Sequence, residues 1–183
     1  MKNINDLKVE LKKGKKFNYL FFWGHRQKVE GEIDKSCFSQ WFPLGFSVDE
    51  VYYKTAEHYM MAQKAQLFDE GMVKYILNAP TTNEVKILGR KVKNFDEEVW
   101  REKSFDIVVQ GNLAKFSQHP KIKAFLLSTA NRVLVEASPY DQIWGIGMMG
   151  EDERAFNPFE WSGENKLGFA LMVVREKLIE ELI

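Results

Sequence analysis

Cysteine, net charge and long apolar runs are what this sequence lacks. Cys37 is the single cysteine among 183 residues, which excludes an internal disulfide and a zinc site built from several cysteines. Lysine plus arginine equals aspartate plus glutamate, so there is no broad basic field of the kind that marks a dedicated nucleic-acid binder. No segment approaches the ~20 apolar residues of a membrane span, and we do not expect the polar N-terminus to be a signal peptide. We therefore expect a soluble, cytoplasmic protein with no membrane association.

Metal-binding and dinucleotide-binding signals are also missing. His25, His58 and His119 lack the spacing of metal ligands. Gly145-Ile146-Gly147 lacks the third glycine and the following helix of a Rossmann fingerprint. We expect no metal and no cofactor. Fourteen Phe, six Tyr and five Trp are present, and we expect some of these rings to line a pocket.

Local signals predict a single, mainly helical α+β domain over residues 1–183. Helices are predicted at 55–68, 72–78, from Thr81 or Thr82 to about 89, 97–117, 120–128 and 166–182. Strands are predicted at 19–23, 37–42, 46–53 and 132–137. Residues 1–17 are expected to be a loosely held start with a short helix or strand. Residues 138–153 form a long Gly-rich loop, and such loops in compact domains are usually functional.

The predicted helix Thr55–Phe68 is the central element. Thr55 is a suitable N-cap, and no Gly or Pro interrupts the residues that follow. Glu57 and Lys64 share one face about two turns apart, roughly 10 Å along the axis. One interpretation places Glu57 at the positive end of the helix dipole and Lys64 in solvent. The other is that both side chains hold opposite ends of one small ligand.

Two further regions carry candidate binding residues. Arg26 follows a predicted strand, where either a binding loop or a plain hairpin turn is expected. The loop 138–153 carries Tyr140, Asp141 and Trp144. From the residues alone, we predict an aromatic-lined pocket with one carboxylate and one lysine nearby.

Short motifs follow one another along the chain in a distinctive order. They are Glu57-His58-Tyr59, Gln63-Lys64-Ala65, Gly89-Arg90, Trp100, Lys115-Phe116, Leu134-Val135-Glu136-Ala137-Ser138, Ile143-Trp144-Gly145-Ile146-Gly147, Gly163-Glu164-Asn165, Leu167-Gly168 and Leu171-Met172-Val173-Val174-Arg175. Each motif is weak alone. Together, over about residues 19–178, they resemble the YbiA-like family, also called NADAR.

This resemblance implies an N-glycosidase that cleaves the bond between a base-like amine and C1 of ribose 5-phosphate or ADP-ribose. One branch of the family acts on riboflavin-pathway intermediates, which implies a small ribosylamine phosphate as substrate. Another branch removes ADP-ribose from guanine in nucleic acid. The even charge favours the small substrate. A third possibility is a non-catalytic ADP-ribose or NAD-binding module, against which the retention of Glu57 and Lys64 argues.

The resemblance also implies roles for Glu57 and Lys64. Cleavage of an N-glycosidic bond builds positive charge on the sugar, so Glu57 is the candidate to stabilise that charge or to hold the ribose hydroxyls. Lys64 is the candidate to attack C1 and form an imine, provided that desolvation lowers its pKa.

The other site candidates are expected to contact the substrate. Arg26 can pair with a phosphate, because a guanidinium forks onto its oxygens. Trp100 and Trp144 can stack on the base or wall the pocket, and a core role for Trp100 stays open. Asp141 can bind ribose hydroxyls or cap its own turn. The predicted substrate-binding set is Arg26, Trp100, Tyr140, Asp141, Trp144 and Gly145.

Overall fold

The computed structural model describes residues 1–181 and has a mainly helical α+β fold with short strands, which confirms the predicted class. The helices are α1 (Ile4–Lys12), α2 (Ala56–Phe68), α3 (Val73–Asn78), α4 (Thr82–Arg90), α5 (Glu97–Gln118), α6 (Pro120–Ser128) and α7 (Lys166–Glu180). The strands are β1 (Tyr19–Phe22), β2 (Phe46–Val48), β3 (Val51–Tyr53) and β4 (Val133–Glu136). The chain packs into two compact units, residues 1–39 with 121–181 and residues 40–120. The organisation of residues 1–183 as one domain stays a prediction.

The unit of residues 1–39 and 121–181 is built on two parallel strands. β1 pairs with β4 in a register that runs from Tyr19 opposite Val133 to Phe22 opposite Glu136. The first three residues of β4 are buried in succession, as is usual for a parallel strand covered on both faces. α7 packs against β4 and is buried from Leu167 to Arg175.

Close contact between α7 and β4 explains several of the motif residues. Asn165, in the left-handed region with φ 54°, donates through Nδ2 to the carbonyl oxygen of Leu134 at 2.9 Å. Its Oδ1 accepts from the backbone N–H of Glu136 at 2.9 Å. A Cβ on Gly168 would overlap the carbonyl oxygen of Leu134. Asn165 and Gly168 therefore attach the start of α7 to the backbone of β4.

Arg175 ties the middle of α7 to the segment before β4. The side chain is 4% exposed. Its Nη1 donates to Thr129 Oγ1 at 2.7 Å and to the carbonyl oxygen of Arg132 at 3.0 Å. Burial of a guanidinium costs free energy unless the group is hydrogen-bonded, and these contacts offset that cost. Arg175, the last motif residue of α7, therefore has a structural role.

The unit of residues 40–120 is organised around α2, against which α3, α4 and α5 pack. Thr55 is its N-cap, as predicted, with Oγ1 accepting from the backbone N–H of His58 at 3.3 Å. α2 is buried on most sides in its first two turns, so it is a core helix. Gly111 of α5 lies against Tyr59, and a Cβ there would be 2.5 Å from Tyr59 Cδ1. That glycine lets α5 approach α2 closely.

The strand predicted at residues 37–42 is wrong. A short 3-10 helix, Lys35–Phe38, occupies the start of this region. Asp34 is its N-cap, because Asp34 Oδ1 accepts from the backbone N–H of Ser36 at 2.8 Å. Cys37, Phe38 and Phe42 of the segment are buried, so its hydrophobicity was a signal of burial and not of strand geometry.

The single strand predicted at residues 46–53 is also wrong, because the region is the hairpin of β2 and β3. Asp49 and Glu50 form its turn with φ of 48° and 65°. Positive φ at both central residues is the geometry of a type I′ turn, a common two-residue hairpin connection, and Asp tolerates it better than most residues. Glu50 is an unusual residue for such a turn, which explains why the sequence signal was weak.

The remaining elements agree with the predictions. Thr81 and Asp96 cap α4 and α5, and Pro120 begins α6. The start of the chain contains the helix α1, capped by Asn3. The predicted end of the last helix, Leu182, lies outside the described residues.

Candidate functional site

Lys64 is half-buried on α2, and its amine lies against two aromatic rings. Nζ donates to the carbonyl oxygen of Gly89 at 2.9 Å. It lies 4.1 Å from the ring centroid of Phe95 and 5.8 Å from that of Trp100. We call these four residues the lysine cage. Lys64 is therefore not the solvated side chain of the alternative interpretation.

Two opposing influences act on the amine in the lysine cage. Burial disfavours the charged form and lowers the pKa of Lys64 below its ordinary value. The Gly89 carbonyl and the ring faces stabilise the ammonium. The result is an amine whose proton is easier to remove than that of an exposed lysine. Such an amine is chemically suited to act as a nucleophile.

The segment between α4 and α5 brings Phe95 to the lysine cage. The Phe68 and Phe95 rings meet edge to face with centroids 5.4 Å apart. The backbone N–H of Lys93 donates to Asp69 Oδ2 at 3.1 Å. Asn94 has a left-handed φ of 52°, which turns the chain just before Phe95. The C-terminal end of α2 thus fixes a ring that covers a lysine of the same helix.

Gly89 supplies the carbonyl of the lysine cage because α4 approaches α2 very closely. A Cβ on Gly89 would overlap Met61 Sδ. Only glycine allows this approach without displacing Met61, and the approach puts the carbonyl oxygen of Gly89 within reach of Lys64. The Gly89-Arg90 motif therefore has a local structural cause.

Glu57 lies in the first turn of α2 and is 8% exposed. Its backbone N–H donates to the carbonyl oxygen of Gln40 at 2.9 Å. The side chain of Gln40 is held in turn, since Asn112 Nδ2 donates to Gln40 Oε1 at 2.7 Å and to the carbonyl oxygen of Val108 at 2.9 Å. A buried polar network therefore fixes the backbone at Glu57. The sequence did not predict Gln40 or Asn112.

His58, next to Glu57 in the motif, has a structural role. Its Nε2 lies 3.1 Å from the carbonyl oxygen of Ala79, and Nδ1 lies 2.8 Å from Thr55 Oγ1. A carbonyl can only accept, so Nε2 carries the proton and a neutral ring accepts at Nδ1. Burial lowers the pKa of His58, with the nearby charge of Lys54 acting in the same direction and the Ala79 carbonyl opposing them.

Lys115 is a second notable lysine in this unit, and no function was predicted for it. The side chain is completely buried on α5. Its Nζ lies 5.2 Å and 5.6 Å from the ring centroids of Phe116 and Phe42. The Lys115-Phe116 motif was the signal that could have marked it. Phe95 was also missed, although it is the one aromatic residue in the charged run from Lys91 to Glu98.

Asp141 caps its own turn in the loop 138–153. Its Oδ1 accepts from the backbone N–H groups of Ile143 at 2.9 Å and Trp144 at 2.7 Å. Its carbonyl oxygen accepts from the backbone N–H of Gly147 at 3.1 Å. Of the two roles predicted for Asp141, capping of its own turn is the one these contacts show. A contact with ribose stays a prediction.

Gly145 and Trp144 connect this loop to the start of α7. The backbone carbonyls of Trp144 and Gly145 accept from the N–H groups of Leu167 and Asn165, at 3.1 and 3.0 Å. A Cβ on Gly145 would lie 2.9 Å from the carbonyl oxygen of Glu136. Gly145 is buried and the Trp144 side chain is half-buried. These positions explain the motif structurally, and substrate contact by either residue stays a prediction.

Tyr140 and Arg26 are exposed residues of the unit of residues 1–39 and 121–181. Tyr140 is 88% exposed, and its ring centroid lies 6.1 Å from that of Trp23, which directly follows β1. Arg26 lies three residues beyond Trp23 in the same segment. The structure thus groups Lys64 with Trp100, Asp141 with Trp144, and Tyr140 with Trp23.

Residues 1–181 contain neither a metal-binding cluster nor a membrane-spanning helix. They contain no group of three or more His, Cys, Asp and Glu side chains placed to hold a metal ion. Within the same part of the chain, no helix has the length and apolar character needed to cross a membrane.

Comparison with known proteins places these features in a family context. The family model of the NADAR domain matches residues 21–179. N-glycosidase R617 of Acanthamoeba polyphaga mimivirus is 42% identical over 165 residues, which cover 87% of this chain and 95% of that protein. Riboflavin biosynthesis protein PYRR, chloroplastic, of Zea mays is 34% identical over 139 residues, covering 72% of this chain and 20% of the maize protein.

A solved structure also resembles this one. N-glycosidase YbiA of Escherichia coli is 32% identical over 148 residues, covering 81% of this chain and 82% of its own length. The NMR structure of the E. coli protein YbiA superimposes with a TM-score of 0.72 at 29% identity, over 92% of this chain and 89% of that chain.

Proposed function

The chain belongs to the NADAR family of YbiA-like proteins, as its sequence predicted, and on this premise we propose that it is an N-glycosidase. Its proposed substrate is a small ribosylamine 5-phosphate of the kind formed in riboflavin biosynthesis. The reaction hydrolyses the bond between the amine of the base and C1 of the ribose.

The lysine cage is the observation that carries this proposal. The unprotonated Nζ of Lys64 attacks C1, and the C1–N bond breaks with its electron pair leaving on the base, which takes up a proton. The bond between C1 and the ring oxygen then breaks as Nζ forms a double bond to C1, and the ring oxygen takes the proton that remains on Nζ, which leaves an open-chain imine on Lys64. Water adds to the imine carbon, ribose 5-phosphate leaves and the amine is restored. The lowered pKa of Lys64 supports this role, because only the neutral amine can attack.

Glu57 is proposed to act on the charge that this reaction creates. Positive charge grows on C1 and the ring oxygen as the C1–N bond breaks, and a carboxylate in a water-poor site stabilises it strongly. The burial of Glu57 supports this assignment. Its position on the same rigid helix as Lys64, two turns earlier, gives the two side chains a fixed separation along the axis.

The other substrate contacts remain proposals with different degrees of support. Trp100 is supported by its place beside the amine of Lys64. Tyr140, Trp144 and Arg26 are supported by side chains that are exposed or half-buried. For Asp141 and Gly145, the contacts favour shaping the loop over direct binding.

Two observations support a small substrate over ADP-ribosylated guanine in nucleic acid. The formal net charge is zero, whereas binding to a phosphate backbone usually relies on excess positive charge. The matched maize protein carries riboflavin biosynthesis in its name.

The test is a mass-spectrometric turnover assay on the purified protein. One sample receives the riboflavin-pathway ribosylaminopyrimidine phosphate, and another receives an oligonucleotide ADP-ribosylated on guanine. Release of ribose 5-phosphate from the first sample is the expected result. Release of ADP-ribose from the second alone would overturn the proposed substrate class. If neither substrate turns over, the interpretation of the chain as a non-catalytic binding module replaces that of an enzyme.

A further inference from the structure

A cavity of about 190 Å³ lies beyond the carboxyl-terminal ends of β1 and β4. Trp23, the residue after β1, and Ala137, the residue after β4, both line it. The carboxyl-terminal ends of parallel strands are a common place for ligand sites in α/β proteins, because the chain leaves both strands there and forms loops. All of the lining residues belong to the unit of residues 1–39 and 121–181.

Two aromatic rings stand in contact beside this cavity. Trp23 lines it and is 49% exposed, and the ring of Tyr140 contacts Trp23 at a tilt of 53°. A single exposed aromatic residue is ordinary. Two in contact at the edge of a cavity offer ring faces on which a flat ligand can stack. Such stacking is the usual way in which proteins hold a nucleobase outside a duplex.

Two charged side chains supply a polar edge to the same cavity. Lys35 Nζ donates to the carbonyl oxygen of Phe21 at 2.7 Å, and an ammonium has three donors in total. Glu151 also lines the cavity and is exposed. Lys35 therefore suits a ring carbonyl, and the Glu151 carboxylate suits an amino group or a ring N–H.

The volume of the cavity limits the ligand to one ring system. Pockets for drug-sized ligands measure roughly 300–1,000 Å³, whereas an apolar cavity of about 150 Å³ accommodates benzene. At about 190 Å³, the cavity matches a single or fused heteroaromatic base, with the remainder of a larger ligand outside it.

We propose that this cavity is a binding site for a heteroaromatic base that carries a ring carbonyl and an amino group. Trp23 stacks on the base, Lys35 donates to its carbonyl and Glu151 accepts from its amino group. The base can belong to a substrate of the enzyme or to a separate nucleotide ligand. Both sources share this chemistry, and the site stands on its own contacts whether or not the proposed hydrolysis occurs.

The first test is isothermal titration calorimetry with guanosine 5′-monophosphate. Ribose 5-phosphate, which lacks a base, is the matched probe. The wild-type protein is expected to bind the nucleotide more tightly than the sugar phosphate. Trp23→Ala is expected to weaken nucleotide binding by about tenfold or more, and Trp23→Phe by less. Tyr75→Ala, which removes an exposed ring of α3, is the control and is expected to leave binding unchanged.

The polar edge is tested with a second pair of probes. Inosine 5′-monophosphate differs from guanosine 5′-monophosphate only by the missing amino group. Wild type is expected to prefer the guanine nucleotide by about tenfold, and Glu151→Gln to remove most of that preference. Equal binding of guanosine monophosphate by wild type and Trp23→Ala would overturn the site, and so would failure of wild type to distinguish it from ribose 5-phosphate.

Steady-state kinetics then identify the source of the base. If Trp23→Ala raises KM for a turned-over substrate in proportion to its loss of nucleotide affinity, the base belongs to the substrate. If Trp23→Ala loses nucleotide binding while KM stays constant, the base belongs to a separate ligand. Both outcomes support the site. An enzyme that turns over neither offered substrate but still shows Trp23-dependent binding would separate this site from the proposed hydrolysis.

Discussion

Two basic side chains, one in each unit, carry their charge in different surroundings. Arg175 of α7 is 4% exposed and donates to Thr129 Oγ1 and to the carbonyl oxygen of Arg132. Lys64 of α2 is half-buried under aromatic rings and donates to one backbone oxygen, that of Gly89. Both residues belong to motifs of the family, so the motif pattern alone gives them equal weight.

Their chemistry separates them. A guanidinium stays charged at all accessible pH values, and in Arg175 it connects two parts of the chain that pack together. An ammonium loses its proton readily when buried, and its three donors rotate freely on a flexible stem. Arg175 is therefore suited to hold a fold, and Lys64 is suited to react. Family motifs contain both kinds of residue, and the contacts distinguish them.

Lys64→Arg gives the largest expected effect. Arginine keeps the positive charge and the contact with the rings, but it does not form an imine. We expect kcat to fall by about 10⁴–10⁶-fold, as when the nucleophile of a covalent mechanism is removed. Quenched time-course assays with the ribosylaminopyrimidine phosphate measure this change in kcat.

Lys86→Arg is the matched control for this substitution. Lys86 lies on α4 with Nζ 5.6 Å from the ring centroid of Trp41, so it is also a lysine beside an aromatic ring. Its replacement is expected to leave kcat unchanged. A Lys64→Arg enzyme that keeps kcat within about threefold would contradict nucleophilic chemistry at Lys64.

Arg175→Met tests the other side of the comparison. The substitution removes both hydrogen bonds and leaves the carbonyl of Arg132 without that donor, so we expect a loss of about 2–4 kcal/mol in the free energy of unfolding. Urea unfolding measures the loss, and kcat per folded molecule is expected to stay constant. Arg101→Met removes only an exposed pair with Glu97 and should cost no more than about 0.5 kcal/mol. Equal losses in the two variants would refute the structural role.

His58 extends the comparison to a buried basic side chain whose neutral form is favoured by burial. Its pKa in the folded protein lies below the ordinary 6.5, so the unfolded chain binds a proton more readily. The stability that it contributes is complete above pH 6.5 and is lost as the pH falls toward and through the lowered value. The slope reaches at most about 1.4 kcal/mol per pH unit.

The His58→Gln variant isolates that slope. Unfolding by urea between pH 7.5 and 5 is expected to show a shallower loss of stability in the variant than in wild type. Parallel curves for the two proteins would mean that His58 does not titrate differently on unfolding.

Phe95→Leu gives the smallest effect. Leucine keeps apolar bulk over Lys64 but lacks the ring face that stabilises the ammonium. That cation–π interaction contributes about 0.5–1 kcal/mol. We expect the acidic limb of the pH profile of kcat/KM to move down by about 0.4–0.7 pH unit. Tyr75→Leu, beside Lys74, is the control. An upward shift of the acidic limb would show that water admitted by the substitution stabilises the ammonium more than the Phe95 ring does.

The parts of the fold that the sequence predicted are those set by short-range chemistry. Thr55 was predicted as an N-cap, and helices were predicted to begin at residues 97 and 120, where Asp96 and Pro120 mark the starts of α5 and α6. The 3-10 helix at Lys35–Phe38 was missed because burial of an apolar run is equally compatible with a strand.

The surroundings of the candidate site residues were predicted less completely, because the contacts there join residues that are distant in the sequence. Lys64 and Glu57 could be selected from one helix face and the family resemblance. The contact of Lys64 with Phe95, 31 residues further along the chain, depends on how the segment between α4 and α5 folds back. The contact between the tilted rings of Trp23 and Tyr140 depends on the parallel pairing of β1 and β4, which local patterns do not specify.

The most direct test of nucleophilic chemistry at Lys64 is borohydride trapping during turnover. Wild-type protein is mixed with the ribosylaminopyrimidine phosphate and sodium borohydride, digested and mapped by mass spectrometry. We predict a reduced ribose 5-phosphate adduct on Lys64 that is absent when either borohydride or substrate is omitted. Rapid turnover with no adduct, or an adduct on the buried Lys115 instead, would contradict the assignment of the chemistry to Lys64.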